Sequence, residues 1–331
     1  MLPPPLPEPA RTLDVPGFRL GHGSDRAGMT GVTVVLCPEG MLAAAEVRGS
    51  ATGTRQFDSL VSAQHVASRA HAVVLAGGSG FGLAAADPVV EWLAARGHGF
   101  QTGLVPVPLV PTAILFDLGF GAAGARPTPA LVEAALAAAR GGPVPVGSVG
   151  AGTGATVGKA LGPRQGMKGG FGFASLTVAG SVTVAAAVAV NAFGDVRDLA
   201  GRPVAGCRTT PEGLELAGAE RVLAALPPDA AHPWEGNTTL AVVMTDAALT
   251  KAAALKVCQM AFGGLYRTLS PALSLYDGDL VVTLATGARP AALNQVGVLA
   301  ERAVAEAILV AVREADGFGI LPAARDLPRR A

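Results

Sequence analysis

The sequence predicts an α/β protein of the α+β type, in which mixed or antiparallel sheets are flanked by helices. Half of the 331 residues are hydrophobic, which is enough to bury a large layered core. Strand and helix patterns interleave irregularly, and the stretch FASLTVAGSVTVAAAVAVNAFGDV contains two strands joined by a short turn at 179–181. A hairpin of this kind links antiparallel strands, whereas a doubly wound parallel sheet needs a crossover at each step.

The first half of the chain contains strands and helices with clear boundary signals. The β-branched run at 31–40 is bounded by glycine and proline, which is typical of a strand. Residues 72–75 form the next predicted strand, which is followed by a glycine turn and by a helix that ends near Arg96. Gly97 is the stop signal of that helix. A second helix is predicted at 129–140.

The second half predicts further helices and strands of similar length. In chain order these are a helix at 211–226, an exposed proline-containing loop at 227–237, a strand at 240–245, a helix from Asp246 to about Gly263, a strand at 279–287 and a helix at 291–315, before an irregular tail beyond Asp316. Asp246 is a suitable N-cap, because its carboxylate can accept from the free amide groups of a first helical turn.

The overall composition argues against several classes of protein. Charged residues make up 15% and the formal net charge is zero, so the basic excess of a nucleic-acid-binding protein is missing. The longest unbroken apolar run, 184–190, is far shorter than the ~20 residues of a membrane-spanning helix. The three widely spaced cysteines and five histidines suggest no disulfide framework and no metal site. We therefore expect no metal, cofactor, nucleic-acid or membrane partner, and, without a secretion signal, a cytoplasmic location.

Two glycine-rich stretches come close to nucleotide-binding motifs. In GGSGFG the third glycine of a dinucleotide fingerprint would fall on Leu83. In GTGATVGKA the first glycine of a phosphate-binding loop is replaced by Thr153, and Ala160 stands where a hydroxyl should follow Lys159. A tight turn with closely packed backbone and a surface lysine are the simpler interpretations of the two stretches.

The stretch GNTTLAVVM places Asn237, Thr238 and Thr239 directly before a strand. An N-terminal threonine is a nucleophile that carries its own base, because its free α-amine can take the hydroxyl proton. Attack by the Thr238 hydroxyl on the preceding carbonyl would expose such a residue. The same three residues are also a glycosylation sequon and ordinary turn chemistry, so the local pattern leaves these alternatives open.

Seven blocks along the chain occur in the order found in one known family. They are PGFRLGHGSDRAGMTGVTVVLCPEG, VRGSATGTRQFD, HAVVLAGGSGFGLAAADPVVEWL, VPLVPTAILFDLGFG, GATVGKALG, VAVNAFGDV and GNTTLAVVMTDAALTK. From about Leu13 to about Gly317, the chain resembles the DmpA-type N-terminal-nucleophile hydrolases (peptidase family S58). That family includes β-peptidyl and D-stereospecific aminopeptidases and the nylon-oligomer endo-hydrolases.

The resemblance implies a fold and a domain layout. The fold is a four-layer αββα sandwich, formed by one hydrolase domain at 13–317 between a proline-rich arm (1–12) and a C-terminal tail (318–331). Self-cleavage would divide the chain into a large part, 1–237, and a small part, 238–331. The two parts are expected to stay associated, in a homo-oligomer that is a tetramer.

The resemblance also implies the catalytic residues. Thr238 matches the nucleophile, Lys159 the catalytic lysine, and Asn191 in VAVNAFGDV the side-chain amide that stabilises an oxyanion. Asp277 and Asp279 in YDGDL match the Asp-x-Asp pair of the nylon-hydrolase branch, where aminopeptidase members have Ser-x-Glu. Two carboxylates so close are expected to couple, so that one can hold a proton near neutral pH.

Two further residues have supporting roles in this interpretation. The hydroxyl of Thr239 is expected to support the loop at the cut. Phe116 stands in AILFDLG where several relatives carry tyrosine, so that the oxyanion here would depend on Asn191 and backbone donors.

The predicted function is that of a self-processing amide hydrolase. The expected substrate is a small linear amide, such as a 6-aminohexanoate (nylon) oligomer, cut internally. The first alternative is an aminopeptidase on β- or D-amino-acid peptides, and a distant alternative is a non-catalytic nucleotide- or ligand-binding module.

Overall fold

One large mixed sheet, folded onto itself, organises the protein. A computed structural model describes residues 5–227 and 236–328, and within these ranges nine strands join in that sheet. The strands are β1 (Arg19–Asp25), β2 (Thr30–Val47), β3 (Thr54–Arg55), β4 (Arg69–Ala76), β5 (Thr112–Ile114), β6 (Gly170–Thr177), β7 (Thr183–Asn191), β8 (Thr238–Ala247) and β9 (Leu280–Arg289).

Helices and short paired segments complete the described structure. The helices are α1 (Asp58–Val61), α2 (Ala86–Ala94), α3 (Pro129–Ala138), α4 (Ala219–Ala224), α5 (Lys251–Thr268) and α6 (Leu293–Arg313). Short 3₁₀ turns lie at Ser79–Ala85, Gly150–Gly152, Pro163–Gln165 and Ala324–Asp326. Two-residue or three-residue strands pair outside the large sheet: Thr12–Leu13 with Gly142–Pro143, Phe100–Gln101 with Pro106–Val107, Thr156–Val157 with Met167–Lys168, and Asp195–Arg197 with Pro203–Ala205 and Leu269–Ser270.

The strand order shows how the sheet is built. It runs β6-β7-β8-β9-β2-β4-β5-β3, and β1 pairs with β2. Only β8 with β9 and β4 with β5 are parallel among these described neighbours, and the other pairs are antiparallel. The prediction of a mixed, largely antiparallel sheet is therefore confirmed.

The long strand β2 connects two layers of the sandwich. Its first half, as far as Leu36, pairs with β1 and β4, and its second half, from Leu42, pairs with β9, while Met41 and Leu42 still pair with β4. The register shifts between Leu36 and Met41, where Gly40 has a φ of +74°. Irregularities of this kind allow one strand to pass from one sheet layer to another.

Three buried clusters separate four layers. Alternate residues of β7, β8 and β9 face inward and meet inward-facing residues of β2 and β4: Ala185, Ala187, Ala189, Leu240, Val242, Met244, Val35, Val73 and Leu75. The opposite face of the first group packs on α5 and α6, and that of the second group packs on α2 and α3. The αββα sandwich is confirmed. Because both faces of β7 are covered, every residue of β7 is buried, which explains its unbroken apolar run at 184–190.

Most predicted elements are present with shifted ends, and α5 is the first correction. It begins at Lys251, where the Thr250 side chain caps Ala253, rather than at Asp246. Asp246 still belongs to β8. Its carboxylate accepts from the amide of Thr183 at 2.9 Å and pairs with Arg289 at 3.2 Å, so it serves the sheet instead of capping a helix.

The second correction is the helix predicted at 211–226, of which only Ala219–Ala224 is helical. The preceding segment wraps around the buried guanidinium of Arg208, which binds the carbonyl oxygens of Pro211 at 2.5 Å and Gly213 at 3.0 Å. Carbonyls bound in this way are not available for helical hydrogen bonds. The predicted loop at 227–237 falls mostly on residues outside the described ranges.

Within the described residues, no helix is both long and apolar enough to cross a membrane.

Candidate active site

The predicted site residues meet at one end of the sheet. Asn191, the last residue of β7, lies opposite Thr238, the first residue of β8, because these strands are antiparallel. Strand β9 is parallel to β8 and starts at the same end, so Asp277 and Asp279, which directly precede it, lie beside them. The topology therefore brings together residues that are far apart in sequence.

The peptide bond between Asn237 and Thr238 is held on both sides. The amide of Asn237 donates to the carbonyl oxygen of Tyr276 at 3.0 Å, and the carbonyl oxygen of Asn237 accepts from the amide of Gly278 at 2.7 Å. The Thr238 hydroxyl also donates to that carbonyl oxygen. Thr238 is only 2% exposed, so its hydroxyl lies against the preceding carbonyl group in a buried, ordered setting.

Gly278 fits where a side chain would not. A Cβ added there would lie 2.7 Å from the Thr238 hydroxyl oxygen and 2.7 Å from the carbonyl oxygen of Ala51. The segment 48–51 packs on the same loop, and the amide of Ala51 donates to the carbonyl oxygen of Asp277 at 3.0 Å. The glycine between the two aspartates thus allows the loop to approach the threonine closely.

The side-chain amide of Asn191 is fixed at both ends. Its oxygen accepts from the amide of Thr156 at 2.9 Å and from the Lys159 ammonium at 3.0 Å. Its nitrogen donates to the carbonyl oxygen of Phe116 at 3.0 Å and, more weakly, to that of Gly236 at 3.5 Å. With donors on one side and acceptors on the other, the orientation of the amide is defined.

Lys159 is buried, with 6% exposure, rather than on the surface. Its ammonium donates to the backbone oxygen of Asn191 at 3.2 Å as well as to the side-chain oxygen, and its own amide is bound to Phe193 at 2.9 Å. The interpretation of this residue as a surface lysine is therefore wrong. Its positive charge also reaches Asp277, whose pKa it lowers against the opposing effect of burial.

Asp277 accepts hydrogen bonds from a backbone amide and a side chain, and Asp279 accepts them from backbone amides. Asp277 accepts from the amide of Phe193 at 3.1 Å and from the Ser274 hydroxyl at 2.5 Å. Asp279 accepts from the amide of Thr239 at 2.6 Å, which ties it to the second residue of β8. The two carboxyl groups therefore hold the loop before β9 to the ends of β7 and β8.

Burial raises the pKa of both carboxyl groups. The pKa of Asp277 is raised mainly by desolvation, against the hydrogen bonds from Ser274 and Phe193. The pKa of Asp279 is raised well above its ordinary value, first by desolvation and then by the neighbouring charge of Asp277. Two carboxylates in this relation do not ionise independently, and Asp279 is the member that retains a proton more readily.

Phe116 contributes its backbone to the site and its ring to a cavity. The cavity has a volume of about 330 Å³. Its lining combines apolar and polar residues: Phe116, Phe120, Pro163, Pro211, Ile320 and Leu321, together with Asp117, Thr156, Lys159, Arg164 and Glu212. A cavity next to Lys159 and Thr156 is a place where a small, partly apolar molecule would meet the polar cluster.

Sequence reasoning missed a second buried lysine, Lys168, and its neighbour Asp117. Lys168 donates to three carbonyl oxygens, and Asp117 accepts from the Thr30 hydroxyl at 2.8 Å. One signal was available, since Lys168 is flanked by glycine in GMKGG much as Lys159 is in VGKALG. The predicted close packing of GGSGFG is confirmed, because a Cβ on Gly77 would lie 2.0 Å from Asp117 Oδ2.

Comparison with known proteins places the chain in a family. The model of peptidase family S58 matches residues 11–320. A Mycobacterium tuberculosis protein described as an uncharacterized aminopeptidase is 40% identical over 95% of this chain and 96% of its own length. The 6-aminohexanoate-oligomer endohydrolase of Paenarthrobacter ureafaciens is 30% identical over 83% of this chain and 74% of its own.

A solved structure agrees with the fold. The L-aminopeptidase D-Ala-esterase/amidase from Ochrobactrum anthropi, described as a variant of the Ntn-hydrolase fold, superposes with a TM-score of 0.71 at 21% identity. The match covers 95% of this chain and 89% of that one. Together with the match along almost the whole sequence, this shows that the chain belongs to peptidase family S58 and is a hydrolase of amide or peptide bonds.

Proposed function

We propose that this protein is a self-processing N-terminal-threonine hydrolase that cuts linear amides internally, with 6-aminohexanoate oligomers as representative substrates. The proposal depends on the surroundings of the Asn237 carbonyl group. Its oxygen accepts a hydrogen bond from the Gly278 amide at 2.7 Å, and the Thr238 hydroxyl lies against the same group. A nucleophile and an oxyanion donor on one peptide carbonyl are the two parts that acyl transfer needs.

The first reaction is the cut between Asn237 and Thr238. The threonine hydroxyl oxygen attacks the Asn237 carbonyl carbon, the peptide C–N bond breaks, and the hydroxyl proton passes to the nitrogen. The Gly278 amide stabilises the negative oxygen during this step. Water then opens the resulting ester, which leaves a carboxylate on Asn237 and a free α-amine on Thr238.

The second reaction is hydrolysis of the substrate. The new α-amine takes the proton of the Thr238 hydroxyl as the oxygen attacks the substrate carbonyl, and Asn191 donates to the developing oxyanion. The amine product leaves with that proton, and water hydrolyses the acyl ester. Asn191 suits this role because hydrogen bonds at both ends already fix its amide in the uncut chain.

Lys159 and the aspartate pair set the charge around the nucleophile. A fixed ammonium near Thr238 disfavours a second positive charge, so it helps to keep the α-amine neutral and basic. Asp277 balances Lys159, while Asp279 holds the amide of Thr239 and so the start of β8.

The substrate class is supported by the cavity and by sequence similarity. The rings of Phe116 and Phe120 and the side chains of Ile320 and Leu321 offer apolar contact to a chain of methylene groups. A relative that is 30% identical is named a 6-aminohexanoate-oligomer endohydrolase. The Asn-Thr cut and the Asp-x-Asp pattern favour the same branch.

An aminopeptidase on β- or D-amino-acid peptides is the second candidate. Relatives that are 40% identical are named aminopeptidases, and the cavity contains the exposed carboxylate of Glu212, which could receive a substrate ammonium. Oligomers with a blocked amino end separate the two. An endo-hydrolase cuts them at a similar rate, whereas an aminopeptidase leaves them intact.

The variants Thr238→Ala and Thr238→Ser test the proposal. Thr238→Ala should remain one band on a denaturing gel and show no amide hydrolysis, whereas Thr238→Ser should still cut itself and the substrate, because it retains a hydroxyl and an α-amine. Hydrolysis of amides by folded Thr238→Ala at the wild-type rate would show that the nucleophile lies elsewhere.

Assembly and location also belong to the proposal. A homotetramer fits the exposure of Leu104 (92%) and Val105 (63%), two apolar residues in the segment between the short strands at 100–101 and 106–107. A cytoplasmic location fits the free, buried state of Cys37, Cys207 and Cys258. Light scattering of the purified protein measures the mass of the assembly directly.

A further inference from the structure

We propose that Asp117 and Lys168 are positioning residues that hold Asn191 in its oxyanion-binding orientation. The proposal rests on the proposed function for the role of Asn191, but the positioning itself can be measured without catalysis. Both residues belong to a buried group, which we call the glycine-turn cluster and which reaches the cavity at Asp117. It consists of Asp117, Lys168, Thr30 and the glycine turns at 77–78 and 152–155.

Two glycine turns and a threonine close around the Asp117 carboxyl group. Its oxygens accept from the Thr30 hydroxyl at 2.8 Å and from the amide of Gly78 at 2.7 Å. A Cβ on Gly77 would lie 2.0 Å, and one on Gly154 2.9 Å, from the same Oδ2 atom. Only glycine allows the backbone to approach so closely, so the cluster leaves the carboxyl group little freedom.

Lys168 holds the second turn from the other side. Its ammonium donates to the carbonyl oxygens of Gly152 at 2.8 Å, Ala155 at 2.8 Å and Gly169 at 3.1 Å. Burial lowers the pKa of this lysine to about 7, and the charge of Asp117 acts in the opposite direction. Three carbonyl acceptors match the three N–H groups of an ammonium, which also favours the protonated form.

One peptide group connects Lys168 directly with Asn191. The carbonyl of Ala155 accepts from Lys168 at 2.8 Å, and the amide of Thr156 in the same peptide unit donates to the Asn191 side-chain oxygen at 2.9 Å. Because a peptide unit is planar and rigid, fixing its carbonyl also fixes its amide. Lys168 thus sets the position of the group that orients the oxygen end of Asn191.

Asp117 connects with the other end of the same amide. The carbonyl of Phe116, the residue directly before Asp117, accepts from the Asn191 side-chain nitrogen at 3.0 Å. Anchoring the Asp117 carboxyl group therefore anchors the carbonyl that orients the donor. The two ends of Asn191 are held by two loops, and the glycine-turn cluster ties both loops together.

A positioning role predicts a particular kinetic effect. Loss of one oxyanion donor costs about 10²–10³ in kcat, and a displaced donor should cost less. We expect Asp117→Ala and Lys168→Met to lower kcat by about 10- to 100-fold with KM changed by less than about threefold. Asp117→Asn keeps an acceptor for Gly78 and should stay within about threefold of wild-type kcat.

The direct experiment is nitrogen-15 NMR of the Asn191 side-chain amide in the uncut Thr238→Ala background. Asp117→Ala should shift that resonance and speed its hydrogen exchange, whereas Asp117→Asn should leave it near its original position. Asp246→Ala is the matched control, since it removes a buried carboxylate that accepts a backbone amide at the far end of β8.

The outcomes separate the two proposals. An unchanged Asn191 resonance in folded Asp117→Ala and in Lys168→Met would overturn the positioning role, whatever the activity. An equal shift in Asp246→Ala would also overturn it, because the effect would then be general loosening. If the Asn191 resonance responds as expected but Thr238→Ala still hydrolyses amides, the proposed function fails and the positioning role stands.

Discussion

Two buried lysines, nine positions apart in the sequence, lie in different surroundings at the same end of the molecule. Lys159 donates to the backbone and side-chain oxygens of one residue, Asn191. Lys168 donates to three backbone carbonyls of surrounding turns. The comparison teaches that burial and residue type do not define a role: a lysine bound to a side chain of the reactive cluster can act on the chemistry, while one bound to backbone builds the framework.

The carboxylates near each lysine extend the comparison. The charge of Lys159 acts on Asp277, a member of a coupled pair that reaches the start of β8. The charge of Lys168 acts on Asp117, whose oxygens are taken up by Thr30 and Gly78. Lys159 and Asp277 lie beside the peptide bond that is proposed to be cut, whereas Lys168 and Asp117 fix the loops around it.

The largest expected difference is between Lys159→Met and Lys168→Met. Lys159→Met should slow self-cutting by about 100-fold or more, because general acid–base and charge effects of this kind contribute about 10²–10⁴. Lys168→Met should slow self-cutting much less, because it acts through Asn191, which is proposed to serve the substrate reaction, and it should lower the free energy of unfolding, since each buried carbonyl that loses its donor costs about 1–3 kcal/mol. Gel time courses measure the rate of self-cutting in chains that retain Thr238. Urea unfolding measures stability, with each lysine substitution placed in the uncut Thr238→Ala background. Equal cutting rates and equal stabilities for the two lysine variants would contradict the distinction between them.

Glycine substitutions test how tightly the turns around Asp117 and Lys168 are packed. A Cβ on Gly154 would lie 2.1 Å from the carbonyl oxygen of Met29 and 2.7 Å from Asp117 Cβ, whereas one on Gly80 would meet nothing within 4 Å. Overpacking of this kind costs about 1–3 kcal/mol, so Gly154→Ala should lower the free energy of unfolding by about 2 kcal/mol. Gly80→Ala should stay within about 0.5 kcal/mol of the parent in the same denaturation experiment.

The pH dependence of stability tests the raised pKa of Asp279, which lies next to Asp277 in the candidate active site. A pKa raised in the folded state means that the native protein binds the proton more tightly than the unfolded chain. The stabilising contribution of Asp279 is therefore complete below its ordinary value of 3.8 and is lost as the pH rises through the raised pKa.

In the Thr238→Ala background, Asp279→Asn should therefore lose less stability than its parent as the pH rises above 3.8, because asparagine has no proton to release. Exposed Asp14→Asn is the control. Parallel stability curves for Asp279→Asn and the parent, measured by denaturation at each pH, would contradict a raised pKa at this position.

The smallest effect is expected from Phe116→Tyr. The Asn191 side chain donates to the backbone carbonyl of Phe116, which a tyrosine would also supply, and Phe116 is one of the residues that line the cavity. We expect kcat to change by less than about fivefold, in keeping with the small effect of substitutions that remove no interaction. Steady-state kinetics on an amide oligomer measure it, and a gain of 100-fold would show that a phenol hydroxyl completes the oxyanion site here.

The sequence predicted the presence of most strands and helices better than it predicted where they begin and end. Alternating and continuous apolar runs identified β7, β8 and β9, because burial on both faces requires apolar residues throughout. The start of α5 could not be read from Asp246, since its carboxylate is used by Thr183 across the sheet. The helix predicted at 211–226 does not start at Pro211, because the buried guanidinium of the nearby Arg208 binds the carbonyl oxygens of Pro211 and Gly213.

The residues of the site also differed in how well the sequence predicted them. The local pattern left Lys159 as a surface residue, and the resemblance to a family was needed to single out Lys159 and Asn191. Asp117 and Lys168 were not identified, because their partners are mostly backbone groups of glycine turns. Backbone partners leave little trace in the side-chain pattern, whereas the contact between Asn191 and Thr238 follows as soon as the strand register is known.

Intact-mass spectrometry of the purified, active enzyme shows whether the bond between Asn237 and Thr238 is cut. We expect two polypeptides, of residues 1–237 and 238–331, with Thr238 as the first residue of the smaller one, and amide hydrolysis that rises in step with the cut. An active preparation whose 331-residue chain is still whole, or whose smaller piece begins at another residue, would contradict the account.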